Sequence, residues 1–227
     1  MITGPALDGA PPDDAPWVAV RAAPTCPRCF GPLHGPSAWS SAWRCDTHGD
    51  VLPYQPPLPP TGAGLEAVRK NAVVPVWLPW PLPSGWLVTG FGEVGDERTG
   101  ARASVVALSG PALVDGPADM LVIAEEPGVG IGASFAGLGG PDPGDGFDAG
   151  PPNAKIEVLG HPTALWVVHG SPDRAVYAGE ALGNWLWVIA WPPEAGCLIA
   201  LAELSLFDAR DQDLDIPYGA FSSRLEG

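Results

Sequence analysis

Positive charge is scarce in this sequence. Against 26 Asp and Glu stand 11 Lys and Arg, only Lys70 and Lys155 among them lysines, for a formal net charge of −15. Polyanions bind proteins through clustered Lys and Arg that release counterions. No such cluster occurs here, so nucleic acid is excluded as a partner. Long apolar runs are also missing. No window reaches the roughly 18 consecutive apolar residues of a spanning helix. The start, "MITGPALDGAPPDDAPWVAV", has neither the basic n-region nor the unbroken apolar stretch of a signal peptide. These absences predict no membrane partner and a cytoplasmic location. A Gly-x-Ser-x-Gly elbow does not occur either, and no catalytic residue can be named.

Helix-forming stretches are few. Glycine (30) and proline (29) are abundant, and both weaken helix interiors. The expected fold is mainly β: a small N-terminal zinc ribbon plus an antiparallel β-sheet domain, half-barrel or sandwich. Residues 1–15, rich in Gly, Pro, Ala and Asp, read as a flexible tail and 16–52 as the ribbon. Residues 53–63, within "LPYQPPLPPTGAG", read as a Pro-rich linker, and 64–227 as the β domain. "GLEAVRKNA" (64–72) has helix potential. Strands are expected at 85–94, 102–109, 119–126, 155–160, 164–170, 174–181, 184–191 and 196–207. Their gaps are usually too short for crossover helices, so pairing should be mainly antiparallel. "NWLWVIAW" (184–191) is apolar on both alternating faces and should be a central strand. "GLGGPDPGDGFDAGPPN" (137–153) should be a surface loop.

Four residues concentrate the chemistry. "TCPRCFGPLHGPSAWSSAWRCDTHGD" (25–50) carries Cys26-x2-Cys29, then Cys45-x2-His48 fifteen residues on. Two ligand pairs of this spacing suit two knuckle turns that aim four donors at one tetrahedral zinc. In a reducing compartment such cysteines are metal ligands rather than a disulfide framework. Gly31 and Gly49 would ease the left-handed turns after each pair. Four protein ligands leave no open position, so the zinc would be structural. His34 is the alternative fourth ligand, and two cysteine pairs in a small apolar core is the plain alternative to any metal.

The remaining signals are weaker. Gly128-x-Gly130-x-x-Ala133 matches a dinucleotide fingerprint only superficially. Gly137, Gly139, Gly140 and Pro141 follow too soon for the helix that a pyrophosphate needs, and "GASFAG" reads as a short strand after a turn. Glu125 and Glu126 alternate across a strand and point to opposite faces. Asp142, Asp145 and Asp148 lack the order of a calcium loop. His161 and His169 read as turn or rim residues, and Cys197 as a small core residue. Ten tryptophans are many for 227 residues. Trp77, Trp80 and Trp86 lie among four prolines in "VPVWLPWPLPSGW", either as a rigid surface for a protein partner or as a plug over a sheet edge. Trp185, Trp187 and Trp191 share one strand face that could line a small-ligand pocket.

The segments "PTCPRC", "AWRCDTHGDVLPYQPPLPP", "VPVWLPWPLPSGWLVTG", "LVIAEEPGVGIGASFAGLGGPDPG" and "GEALGNWLWVIAWP" resemble an uncharacterised actinobacterial zinc-ribbon protein family of unknown function. Members are sometimes labelled phosphotransacetylase. The motifs do not support that label, because phosphotransacetylases are larger two-domain α/β proteins. The resemblance implies no catalytic positions and places Cys26, Cys29, Cys45 and His48 in the family's cysteine motif. In pattern alone, the C-terminal half is similar to β domains that curve one antiparallel sheet into a half-barrel. The sequence therefore points to a non-catalytic zinc-ribbon protein that acts as an interaction or scaffold module. A Trp-lined small-ligand binder is the alternative, and an acyl-transfer enzyme is a third reading.

Overall fold

The computed structural model describes residues 23–113, 115–201, 204–211 and 214–227. The tail expected over 1–15 and the first residues of the ribbon lie outside them. A two-stranded hairpin, β1 (Trp43–Cys45) and β2 (Gly49–Val51), precedes helix α1 (Gly62–Asn71). Then follow β3 (Trp77–Pro79), β4 (Leu87–Asp96), β5 (Gly100–Pro111), β6 (Pro117–Glu125), α2 (Ile131–Ala136), β7 (Ala154–Val158) and β8 (His161–Val167). The chain continues through β9 (Ala175–Ala181), β10 (Asn184–Trp191), α3 (Gly196–Leu201) and β11 (Ser205–Asp208).

Nine strands form one sheet in the order β3-β11-β7-β8-β9-β10-β6-β5-β4, curled into a half-barrel. Every neighbouring pair is antiparallel except β11 with β7. Bulges in β4 at Val88/Gly90 and Val94/Gly95 break its register with β5, and such bulges bend a strand and increase its twist. Strand β10 is central, as its two apolar faces predict. Leu186, Val188 and Ala190 enter one core with Val106, Met120 and Val122, while Trp187, Ile189 and Trp191 enter the opposite core with Val105, Leu121 and Ile123.

The helices cover these faces. Thr61 caps α1 by accepting from the Gly64 amide at 3.1 Å, and Leu65 and Val68 turn one stripe into the first core. Helix α2 buries Ile131, Ala133, Phe135 and Ala136 in the second.

Two expectations are corrected. Residues 196–207, read as one strand, divide into α3 and β11. Leu198 and Ile199 are buried while Cys197 and Ala200 are exposed, a helical period that an apolar run of this length conceals. Cys197 thus lies on the surface instead of in the core. "GASFAG", read as a strand, is the short helix α2, and the reason is a carboxylate described below.

The Pro-rich stretch 53–63 runs along the outer edge of β4. Gly95 donates to the Pro53 carbonyl at 2.9 Å and Gln55 to Glu93 at 3.0 Å. Leu58 and Phe91 exchange bonds of 2.8 and 3.0 Å. Prolines supply no amide for a further strand, so the segment covers an edge that would otherwise be open to pairing.

Candidate metal centre

Two tight turns build the centre. In the first, the amides of Cys29 and Phe30 fold back onto the Cys26 carbonyl at 3.4 and 2.8 Å, and Cys26 donates to the Gly31 carbonyl at 2.9 Å. The second is the β1–β2 turn, where Cys45 pairs with Gly49. Gly49 takes the left-handed conformation expected there, φ +69°. In the first turn that conformation falls to Phe30, φ +54°, and not to Gly31. Phe30 is held by its ring, whose centroid lies 5.1 Å from Phe135 and 6.0 Å from Tyr54.

The turns bring Cys26, Cys29, Cys45 and His48 together, with all four ligand atoms within 4.8 Å of one another. Cys26 Sγ lies 3.5 Å from His48 Nδ1, Cys45 Sγ lies 3.6 Å from it, and the Cys29 and Cys45 sulfurs are 3.8 Å apart. A disulfide needs about 2.05 Å, so these are free thiols close enough to hold one metal ion. Burial pushes the Cys26 thiol up to about 12. Cys45 also suffers desolvation, but hydrogen bonds from the His48 and Thr47 amides and the His48 ring outweigh it and bring the thiol down to about 6. His34 stands outside the cluster: its Nε2 is 3.1 Å from Asp46 Oδ1, both side chains exposed.

A family model described as a family of unknown function (DUF6758) matches residues 20–225. The chain belongs to this family. Within DUF6758 the matched span takes in both knuckle turns and every strand of the sheet. No curated protein and no solved structure matches the chain.

The Cys/His hairpin of this DUF6758 chain is fastened to the sheet. Thr25 and Tyr54 exchange backbone bonds of 2.9 and 2.8 Å. Arg28, between the first two cysteines, donates to the carbonyls of Gly128 and of Val129, the latter at 3.3 Å. The turn that receives Arg28 leads into a site the sequence reading did not find. Glu125, at the end of β6, is fully buried. Its Oε2 accepts from the amides of Gly130, Ile131 and Gly132 at 3.1, 2.9 and 3.3 Å, and its Oε1 from Trp187 Nε1 at 2.6 Å. Desolvation pushes this carboxyl up to about 7 against those four donors. Gly132 permits the approach, since a Cβ there would lie 2.3 Å from the Trp187 ring. Glu126 faces the other way and pairs with Arg102 at 2.7 Å, as the strand alternation predicts.

The tryptophans are mostly internal. Trp77, Trp86, Trp187 and Trp191 are buried, while Trp80 and Trp185 are half-buried. Trp77 and Trp86 therefore form part of the core rather than a surface patch: Trp77 lies in β3 itself, and Trp86 packs against Gly110 and donates to the Pro111 carbonyl at 3.2 Å. Trp191 lies beneath two guanidinium groups, Arg174 at 5.0 Å and Arg224 at 4.9 Å. Trp185 donates to Asp142 Oδ1 at 2.7 Å, and the same oxygen accepts from the Gly128 amide at 2.8 Å. Phe147 packs edge-on to Trp166 and Trp185, so the 137–153 loop is anchored to the sheet by one carboxylate and one ring. His161 and His169 are exposed.

A cleft of about 450 Å3 lies between the Cys/His hairpin and the sheet, lined among others by Arg28, Trp43, Leu52, Arg98 and Val129. A second, of about 280 Å3, is lined by Thr89, Ser109, Asp119 and residues 219–223. Neither includes Trp185, Trp187 or Trp191.

Proposed function

We propose that this chain is a zinc-stabilised interaction module, in which the metal folds the ribbon and the ribbon meets a protein partner. One observation carries the zinc reading: three thiols and an imidazole converge at the spacing of a closed tetrahedral set. Zinc–sulfur bonds of about 2.3 Å at tetrahedral angles would place sulfurs about 3.8 Å apart, and the Cys29–Cys45 separation is 3.8 Å. Thiolate-rich sites select soft or borderline ions, zinc foremost. With four protein ligands no position remains for a reacting water, so the ion's contribution is folding free energy, on the order of 10–16 kcal/mol by comparison with small zinc modules. The scarcity of Lys and Arg favours protein over nucleic acid as the partner, and a cytoplasmic setting would keep the thiols reduced. Among the described residues no helix is long and apolar enough to cross a membrane.

Native mass spectrometry of the full chain, with and without a mild chelator, tests the reading. One zinc per chain is expected. In Cys29→Ala the zinc is lost, and residues 25–50 lose amide protection while the sheet keeps its own. Zinc retained in that variant, or absent from the wild type, would sink the proposal.

A further inference from the structure

The three thiols of the Cys/His cluster differ in their access to solvent. Cys26 and Cys45 are buried, whereas Cys29 lies on the surface. The sulfur of this exposed residue is 3.8 Å from that of Cys45. Closing that gap to the roughly 2.05 Å of a disulfide takes a shift of under about 2 Å. An accessible thiol beside a second one that can resolve it is the arrangement of a redox-responsive cysteine pair.

Room for that shift lies beside Cys29. A Cβ at Gly31 would come within 3.3 Å of Cys29 Sγ, closer than ordinary contact, so the glycine leaves the sulfur free to swing on that side. The left-handed conformation of this turn falls to Phe30, and space rather than backbone freedom is what Gly31 contributes. Cys26 is enclosed by protein, with its sulfur 3.5 Å from His48 Nδ1, so an oxidant from solvent meets Cys29 first. Cys197 is exposed too, but it stands outside the cluster on α3.

A hydroperoxide is the class of oxidant that suits the pair, since a neutral molecule is not repelled by the net charge of −15. The Cys29 thiolate attacks one peroxide oxygen, the O–O bond breaks, and hydroxide leaves, or alkoxide from an organic hydroperoxide. The Cys45 thiolate then attacks the sulfur of the resulting sulfenic acid, the S–O bond breaks, and a second hydroxide leaves. The two sulfurs lose two electrons and the peroxide gains them, ending as water once its oxygens are protonated. With two of four donors spent, Cys26 and His48 no longer complete a tetrahedral set.

We propose that Cys29 and Cys45 are a reversible dithiol–disulfide pair, oxidised by hydroperoxides, whose closure expels the metal. The expulsion rests on the zinc reading given above; the pair itself rests on the placement of the two sulfurs.

Titration of the full zinc-loaded chain with hydrogen peroxide tests it, in a Cys197→Ser background so that every remaining thiol belongs to the cluster. Released zinc is read with a chromogenic chelator, and the bridge by intact mass and by peptide mapping without reductant. At one equivalent of peroxide, one zinc is expected to leave, the chain to lose the mass of two hydrogens, and the Cys29 and Cys45 peptides to be joined. Dithiothreitol with added zinc restores the starting state. Cys45→Ser removes the resolving thiol, so the product there is a sulfenic acid at Cys29 that dimedone captures. Thiols that survive the peroxide, a bridge from Cys26 to Cys29, or sulfinic acid in place of a bridge overturns the proposal. Metal content before oxidation separates the two readings. A zinc-loaded chain that forms no bridge overturns the dithiol pair alone, whereas a chain that never held zinc and still joins Cys29 to Cys45 overturns the zinc reading alone.

Discussion

Glu125 is the anion that the glycine-rich turn binds. Three amides at the start of α2 converge on its carboxylate, the geometry by which helix N-termini hold phosphate, here satisfied from within the chain. Its folded pKa of about 7 lies above the roughly 4.3 of an unfolded glutamate. The folded state therefore binds the proton more tightly, and stability falls as pH rises from about 4.3 through about 7, then levels off. Glu125→Gln should remove that slope: in thermal melts between pH 4 and 8, the wild type loses stability relative to the variant as pH rises. Parallel profiles would show that Glu125 does not titrate in that range. The alternation of Glu125 and Glu126 was legible from strand period alone. The capping role was not, because it depends on Gly130 and Gly132 folding amides back over a strand that had already ended. The clue lay in the fingerprint itself, a Gly-x-Gly turn directly after an acidic residue on a buried strand.

At the scale of elements, single side chains join pieces that the sequence keeps far apart. Arg28 ties the first knuckle to the turn at Gly128 and Val129, so Arg28→Ala should loosen residues 25–50 by about 1 kcal/mol without dispersing the Cys/His cluster. Faster proteolysis within 25–50 would show it. Asp208 joins the other end. It is 2% exposed, accepts from the Val76 amide at 3.1 Å and pairs with Arg210 at 2.6 Å. Asp208→Ala strands that buried amide and should cost about 2 kcal/mol, read as a lower urea midpoint. The strands from β4 to β10 were legible because each alternates or stays apolar between Gly and Pro punctuation. Helix α3 was hidden in "GCLIALAELSLF", where a short apolar run satisfies both periods, whereas the convergence of Cys26, Cys29, Cys45 and His48 was legible because spacing alone defines a knuckle pair.

Across the whole molecule, strands β5, β6, β9 and β10 pair on both sides and bury both faces, whereas β3 and β11 contribute three and four residues at the opposite margin. Hydrogen exchange should therefore be slowest in β5, β6 and β10 and faster by orders of magnitude at β3 and β11, since protection follows the free energy of local opening. Uniform protection across the sheet would contradict this. The margin itself was not legible, because pairing between β3 and β11 is set by closure of the curled sheet and not by neighbouring sequence.

That margin also bears on synthesis. Val76 meets Asp208 across 132 residues, and the Tyr54 hydroxyl meets the Leu225 carbonyl across 171. A ribosome releases the chain from its N-terminus, so β3 emerges long before the one strand that can pair with it, and Tyr54 leaves the exit tunnel well ahead of its acceptor. The hairpin that carries the Cys/His cluster can close on the nascent chain, whereas the half-barrel is completed only once β11 has emerged, with β3 unpaired and exposed to chaperones in the interval.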